Sequence, residues 1–158
     1  GAYPTLHDAV SVFYNTVFGA TEAIKVRKIG TPQGRENAGM PQPDATESRV
    51  SDASVDDMVF AMRAVRSVFT GRRGERDGLG LEDAIAELRP DAVPDVLARL
   101  DTSIAALESR MPRPYDEHLA DPVVEEVYQT TVAVVRVMST DVEALLSVTV
   151  TFTDNDGD

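Results

Sequence analysis

The chain has no cysteine and no tryptophan, and Lys25 and Lys28 are the lysines among its fifteen basic residues. Without cysteine there can be no disulfide, no thiolate nucleophile and no sulfur ligation of an iron–sulfur cluster. Histidine is nearly as scarce, with His7 and His118 alone. A zinc peptidase normally needs two histidines in helical register plus a carboxylate, as in His-Glu-x-x-His, and that pattern is missing. Positive charge is short as well: 27 acidic residues face 15 basic ones, a net charge of −12. Such a surface disfavours nucleic acid, whose phosphates need neutralising. No apolar run approaches the ~18 residues that would span a bilayer. No basic-then-apolar leader opens the chain, so a signal peptide, where one exists, is expected to have been removed.

What is present reads as one ordinary globular domain over residues 1–158, since 42% hydrophobic content and 27% charge suit a packed core. Acid excess with so few lysines suggests adaptation to high salt, where short hydrated carboxylates hold solvent and self-repulsion is screened. An ordinary acidic protein is the alternative.

Apolar residues recur at helical spacing. Leu6, Val10, Phe13, Val17, Ala20/Thr21 and Ile24 predict a helix from about Thr5 to Lys28, stopped by Gly30 and Pro32. Residues 31–53, with Pro32, Gly34, Gly39, Pro41 and Pro43, form a long connection of the kind that is functional or disordered. Ser54 then reads as an N-cap with Asp56 and Asp57 in the first turn, before a stripe of Val55, Met58, Val59, Met62, Val65 and Phe69 ending at Gly71. Residues 71–78 read as a polar loop, and residues 81–88 as a short helix ended by Pro90. The cleanest stripe is Val93, Val96, Leu97, Leu100, Ile104, Leu107 and Met111. Pro112 and Pro114 break it. Asp121 and Pro122 then open a last long helix with Val124, Val127, Thr131, Val134/Val135, Met138, Val142 and Leu145 inward. Alternation over residues 148–152 reads as a frayed end or an extended tail. The expectation is all-α: an up-and-down bundle of four main helices, one long crossing loop and an extended C-terminal tail.

The polar segment Glu47-Ser48-x-x-Ser51-x-x-Ser54 repeats hydroxyls at a spacing of three after a carboxylate. Ser48 and Ser51 could serve local turns and Ser54 a helix cap, or the segment could line a cleft. Asp154-Asn155-Asp156-Gly157-Asp158 imitates the opening of a calcium loop but lacks the bidentate glutamate an EF-hand needs further on. Arg72, Arg73 and Arg76 could hold an anion or form a solvated loop, and Glu125, Glu126, Asp141 and Glu143 read as a wet helix face.

Taken in order, Lys28-Ile29-Gly30-Thr31-Pro32, the Glu47–Ser54 segment, Phe69-Thr70-Gly71, Gly78-Leu79-Gly80-Leu81, Arg113-Pro114-Tyr115-Asp116 and the closing Asp156-Gly157-Asp158 resemble the second half of an imelysin-like protein. The resemblance runs from about Lys25 onward. It implies one helical bundle of a two-bundle, surface or periplasmic protein associated with iron uptake, in a family that carries a metallopeptidase label. It implies a polar cleft at Glu47, Ser48, Ser51, Asp156 and Asp158, facing a second bundle or a homo-oligomer partner, with iron or another divalent cation as a candidate cofactor. The family signature Gly-x-His-x-x-Glu is not met at His7, where Thr5 and Val10 replace the glycine and the glutamate. His118, beside Asp116 and Glu117, reads as a loop histidine before a ligand. A non-enzymatic binding domain is therefore expected, with a metallopeptidase or a purely structural bundle as alternatives.

Overall fold

The computed structural model describes residues 4–148. Four long helices carry the chain: α1 (Leu6–Ala23), α2 (Ser54–Thr70), α4 (Ala92–Ser109) and α5 (Pro122–Val137); short α3 (Leu81–Leu88) and α6 (Glu143–Leu146) complete the set. The architecture is the expected all-α bundle. Two antiparallel strands, β1 (Arg72–Arg73) and β2 (Arg76–Asp77), pair Arg72 with Asp77 where a plain loop was expected. Glycine permits this turn: Gly71 has φ 68°, and a Cβ there would stand 2.3 Å from the Gly78 carbonyl oxygen.

α1 starts on a capping box, in which the Thr5 hydroxyl accepts from Asp8 N–H at 3.1 Å while Asp8 Oδ2 accepts from Thr5 N–H at 3.0 Å. It runs on through a π-helical stretch, Ile24–Gly30. A second π-helical stretch, Met138–Val142, links α5 to α6. α4 lies between α2 and α5, while α1 packs on α2 and α5; α3 closes one end against α2, α4 and α6. Met58, Met62, Phe69, Val96, Leu100, Leu107, Val124, Val127 and Val134 fill the centre, where each large side chain contributes about 1.5–3 kcal/mol by leaving water.

α1 keeps the expected face at Val17, Thr21 and Ile24 and departs from it at Leu6 and Phe13. Tyr14, Val17, Phe18, Thr21 and Ile24 are buried, whereas Leu6 is 81% and Phe13 37% exposed. Tyr14 and Phe18 stack with ring centroids 5.9 Å apart and take the inner side. Ser54 is also not the cap. Ala53 holds that position, and the Ser54 hydroxyl donates backward to the Glu47 carbonyl. Asp121 occupies the cap position of α5, but its carboxylate meets His118 Nδ1 at 2.8 Å.

The connection 31–53 is ordered by its own backbone. Gln42 N–H reaches back to the Pro32 carbonyl at 2.7 Å and Gly39 N–H to the Gly34 carbonyl at 2.9 Å. Arg35 pins it to α5, its guanidinium 3.5 Å from the Tyr128 ring centre and paired with Glu125.

Candidate functional site

Glu47, Ser48 and Ser51 lie together on the last turn of that connection, directly before α2. The segment is folded tightly: Ser48 and Asp52 both take left-handed backbone angles, φ 56° and 51°, on either side of the single 3₁₀ turn Arg49–Ser51. Short polar side chains tolerate that conformation through local hydrogen bonds. The Ser51 hydroxyl donates to the Ser48 carbonyl at 3.0 Å, and the Ser48 hydroxyl donates to the Asp57 carboxylate in the first turn of α2.

Charge pairs tie this segment to the rest of the fold. Lys28, at the end of α1's extension, binds the Glu47 carboxylate, whose side chain stays 51% exposed. Arg49 bridges Asp44 and Asp116, meeting Asp116 Oδ2 at 2.6 Å. Arg113 meets Asp56 Oδ1 at 2.6 Å. The hydrogen bond from Arg113 holds the Asp56 carboxyl below its ordinary range. Arg49 donates in the same way to Asp116 and Asp44, and those bonds raise its guanidinium further above its ordinary value. The result is a preformed polar face in which hydroxyls and carboxylates already have partners. One group is left over: Thr46 is 7% exposed, and its hydroxyl is the buried side-chain polar atom without a hydrogen-bond partner among the described residues.

Asp156 and Asp158 lie outside the described residues, as does the alternating stretch beyond Val148. Among the described residues no group of three or more histidine, aspartate or glutamate side chains is placed to hold a metal ion. His7 Nε2 lies 3.1 Å from the Ser147 carbonyl and His118 Nδ1 lies 2.8 Å from Asp121 Oδ2, so each histidine has a partner outside the Glu47 segment. Arg72 joins Asp77 and the buried Glu82 at 3.2 and 3.1 Å, which explains it as a clamp on the hairpin.

A separate apolar groove lies between α1 and α3. It holds about 600 Å³ and is lined by Leu6, Val10, Phe13, Leu79, Leu81 and Ala84 among others, with none of the polar segment. It was missed in the sequence because its α1 residues were assigned to the core. The signal that could have found it is the absence of any charge between Asp8 and Glu22.

The Imelysin family model, a peptidase family by its label, matches residues 4–142. In structure the chain is similar to an imelysin peptidase from Bacteroides ovatus, with a TM-score of 0.77 and 17% sequence identity; the match covers 90% of this chain. The chain spans 41% of the length of that protein. At that identity the likeness shows the fold. No curated protein matches the sequence. No described helix is long and apolar enough to cross a membrane.

Proposed function

The chain belongs to the imelysin family, and from that premise we propose that it is a non-enzymatic binding bundle associated with iron uptake. It works outside the cell membrane, extracellular, at the cell surface or in the periplasm, in a salt-adapted organism. The observation that carries the reading is the pre-built polar face at Glu47, Ser48 and Ser51, fixed by Lys28, Asp57 and the flanking arginine pairs. A face whose rotamers are locked before the ligand arrives suits recognition, because little ordering entropy remains to be lost on binding. Thr46 adds a buried hydroxyl with unused hydrogen-bonding capacity beside Glu47.

The carboxylates there already face a lysine, arginines or a serine hydroxyl, so no resident metal is assigned to them. Iron, or another divalent cation, enters as cargo. Further oxygen ligands come from Asp156 and Asp158 and from the partner, a second helical bundle or a homo-oligomer. The metallopeptidase reading rests on the family label and on the printed name of the Bacteroides ovatus protein.

Isothermal titration of the chain with ferric, ferrous, zinc and calcium ions in molar salt tests the proposal. Sub-micromolar binding of iron, weakened at least about tenfold by Glu47→Gln, is the expected result. No heat with any of the four ions overturns it. Peptide cleavage by the same sample would move the protein to the peptidase reading instead.

A further inference from the structure

α1 carries no charged residue from Ala9 to Thr21, in a chain of which 27% is charged. Its inner side is spent on the core through Tyr14, Val17, Phe18 and Thr21. Its outer side exposes Leu6 by 81%, Val12 by 48% and Phe13 by 37%, and these residues floor the groove that Leu79 and Ala84 close from the α3 side. A helix apolar on both sides belongs in the interior of an assembly. Gly19 points the same way. It is an exposed mid-helix glycine, where alanine would be more stable, and nothing lies within 4 Å of the Cβ it lacks. Packing within the chain therefore does not call for glycine there.

We propose that this face of α1 seats a second copy of the same chain, the two α1 helices lying antiparallel about a two-fold axis. The face is complementary to itself in that arrangement. Reversing the helix sets Leu6 opposite Gly19 of the other copy, Ala9 opposite Thr16, and Val12 opposite Phe13. Large side chains meet small ones at both ends and share the centre, as an isologous contact requires. Gly19 gives Leu6 its space. Charge selects the same surface, because two identical chains at −12 repel wherever acids meet and the Ala9–Thr21 stretch has none. Asp83, whose carboxylate accepts from Gly80 N–H at 2.7 Å, and Glu87 line the groove, and Asp8 lies on α1 itself, so an incoming copy meets acids around the apolar face. The contact should therefore tighten as salt is added.

The inference deepens the partner named above and depends on the binding reading only for the need of one. Sedimentation equilibrium of the chain at low and molar salt tests it. A monomer–dimer equilibrium that strengthens with salt is expected. Gly19→Arg should weaken it by at least about a hundredfold with helicity intact, because its side chain starts in open space. Phe13→Glu should act in the same direction. A chain monomeric up to about 1 mM, or a dimer indifferent to both changes, overturns the proposal. So does a monomer that takes up a different helical bundle on this face. Iron titration of the unsubstituted chain against Glu47→Gln tests the binding reading without touching α1, so failure of the dimer and failure of iron binding are distinguishable.

Discussion

Two tyrosines show how single residues set the geometry of this bundle. Tyr14 and Tyr115 are 0% and 1% exposed, and each phenol donates to a backbone carbonyl, Met138 at 2.8 Å and Ile29 at 3.3 Å. Both carbonyls lie in π-helical stretches, where the widened turn displaces the regular bonding and leaves an oxygen lone pair open to a second donor. Met138's carbonyl already takes the Glu143 N–H, and Ile29's takes Gln33 N–H at 3.1 Å. Tyr14→Phe keeps the ring stack on Phe18 and removes only the hydroxyl, so it should cost about 1 kcal/mol in a urea titration. The same burial has a pH consequence. Desolvation, with Glu143 adding to it for Tyr14, raises both phenols well above the ordinary value of about 10. A raised folded pKa means the unfolded chain releases its protons first. Stability from the neutral phenols is then complete below about pH 10 and drains away as pH rises toward the folded values. Absorbance at 295 nm should show two of the four tyrosines ionising only as helicity is lost. Ionisation of all four with the circular dichroism unchanged would contradict the burial argument.

At the scale of elements, the connection 31–53 owes its order to backbone conformation, and two of its glycines separate the causes. Gly34 has φ 77° and its missing Cβ would lie 1.9 Å from the Met40 carbonyl oxygen; Gly39 has φ 75° with nothing within 4 Å. Gly39→Ala should therefore cost only the left-handed strain, about 1 kcal/mol, and Gly34→Ala should cost about 2 kcal/mol or more because a backbone segment must also move. Equal shifts in thermal melting for the two would mean the Gly34 turn is not tightly closed. This contrast also explains what the sequence could disclose. α2, α4 and α5 were readable because charge on one side leaves a single apolar stripe, and Met58, Met62, Leu100, Leu107, Val127 and Val134 are buried as their spacing required. α1 was read correctly at Val17, Thr21 and Ile24 but not at Leu6 and Phe13, because it carries no charge on either side from Ala9 to Thr21 and period alone could not choose between Phe13 and Tyr14. The connection has no hydrophobic period at all; its shape comes from glycine angles and reaching N–H groups. The candidate site was legible as a list of residues but not as a structure. Lys28 and Glu47 are 19 positions apart, and Arg49 and Asp116 are 67 apart, distances over which local pattern carries no information.

For the whole molecule the question is which electrostatic effect dominates. Arginines clamp neighbouring helices together: Arg63 to Glu108 and Arg66 to Asp101, both at 2.6 Å, join α2 to α4, while Arg110 to Glu126 joins α4 to α5. All are substantially exposed, and such pairs contribute about 0–1 kcal/mol each. Against them stand twelve unbalanced negative charges spread over 158 residues. The two respond differently to salt. A clamp acts across a contact of under 4 Å, close to the screening length of about 3 Å at 1 M, and keeps part of its attraction even there. Repulsion acts between acids far apart on the surface, and it reaches across the molecule only when the screening length grows to about 30 Å, near 10 mM salt. Lowering salt should therefore strengthen each clamp by a few tenths of a kcal/mol and strengthen repulsion among many more pairs. Repulsion should win, and helicity and the thermal midpoint should fall between 1 M and about 10 mM salt. Guanidinium would mask the effect by adding ions, so the comparison belongs in a thermal melt or in urea. A midpoint that holds or rises at low salt would mean that the arginine clamps outweigh the acid excess, and the salt-adapted reading would go with it.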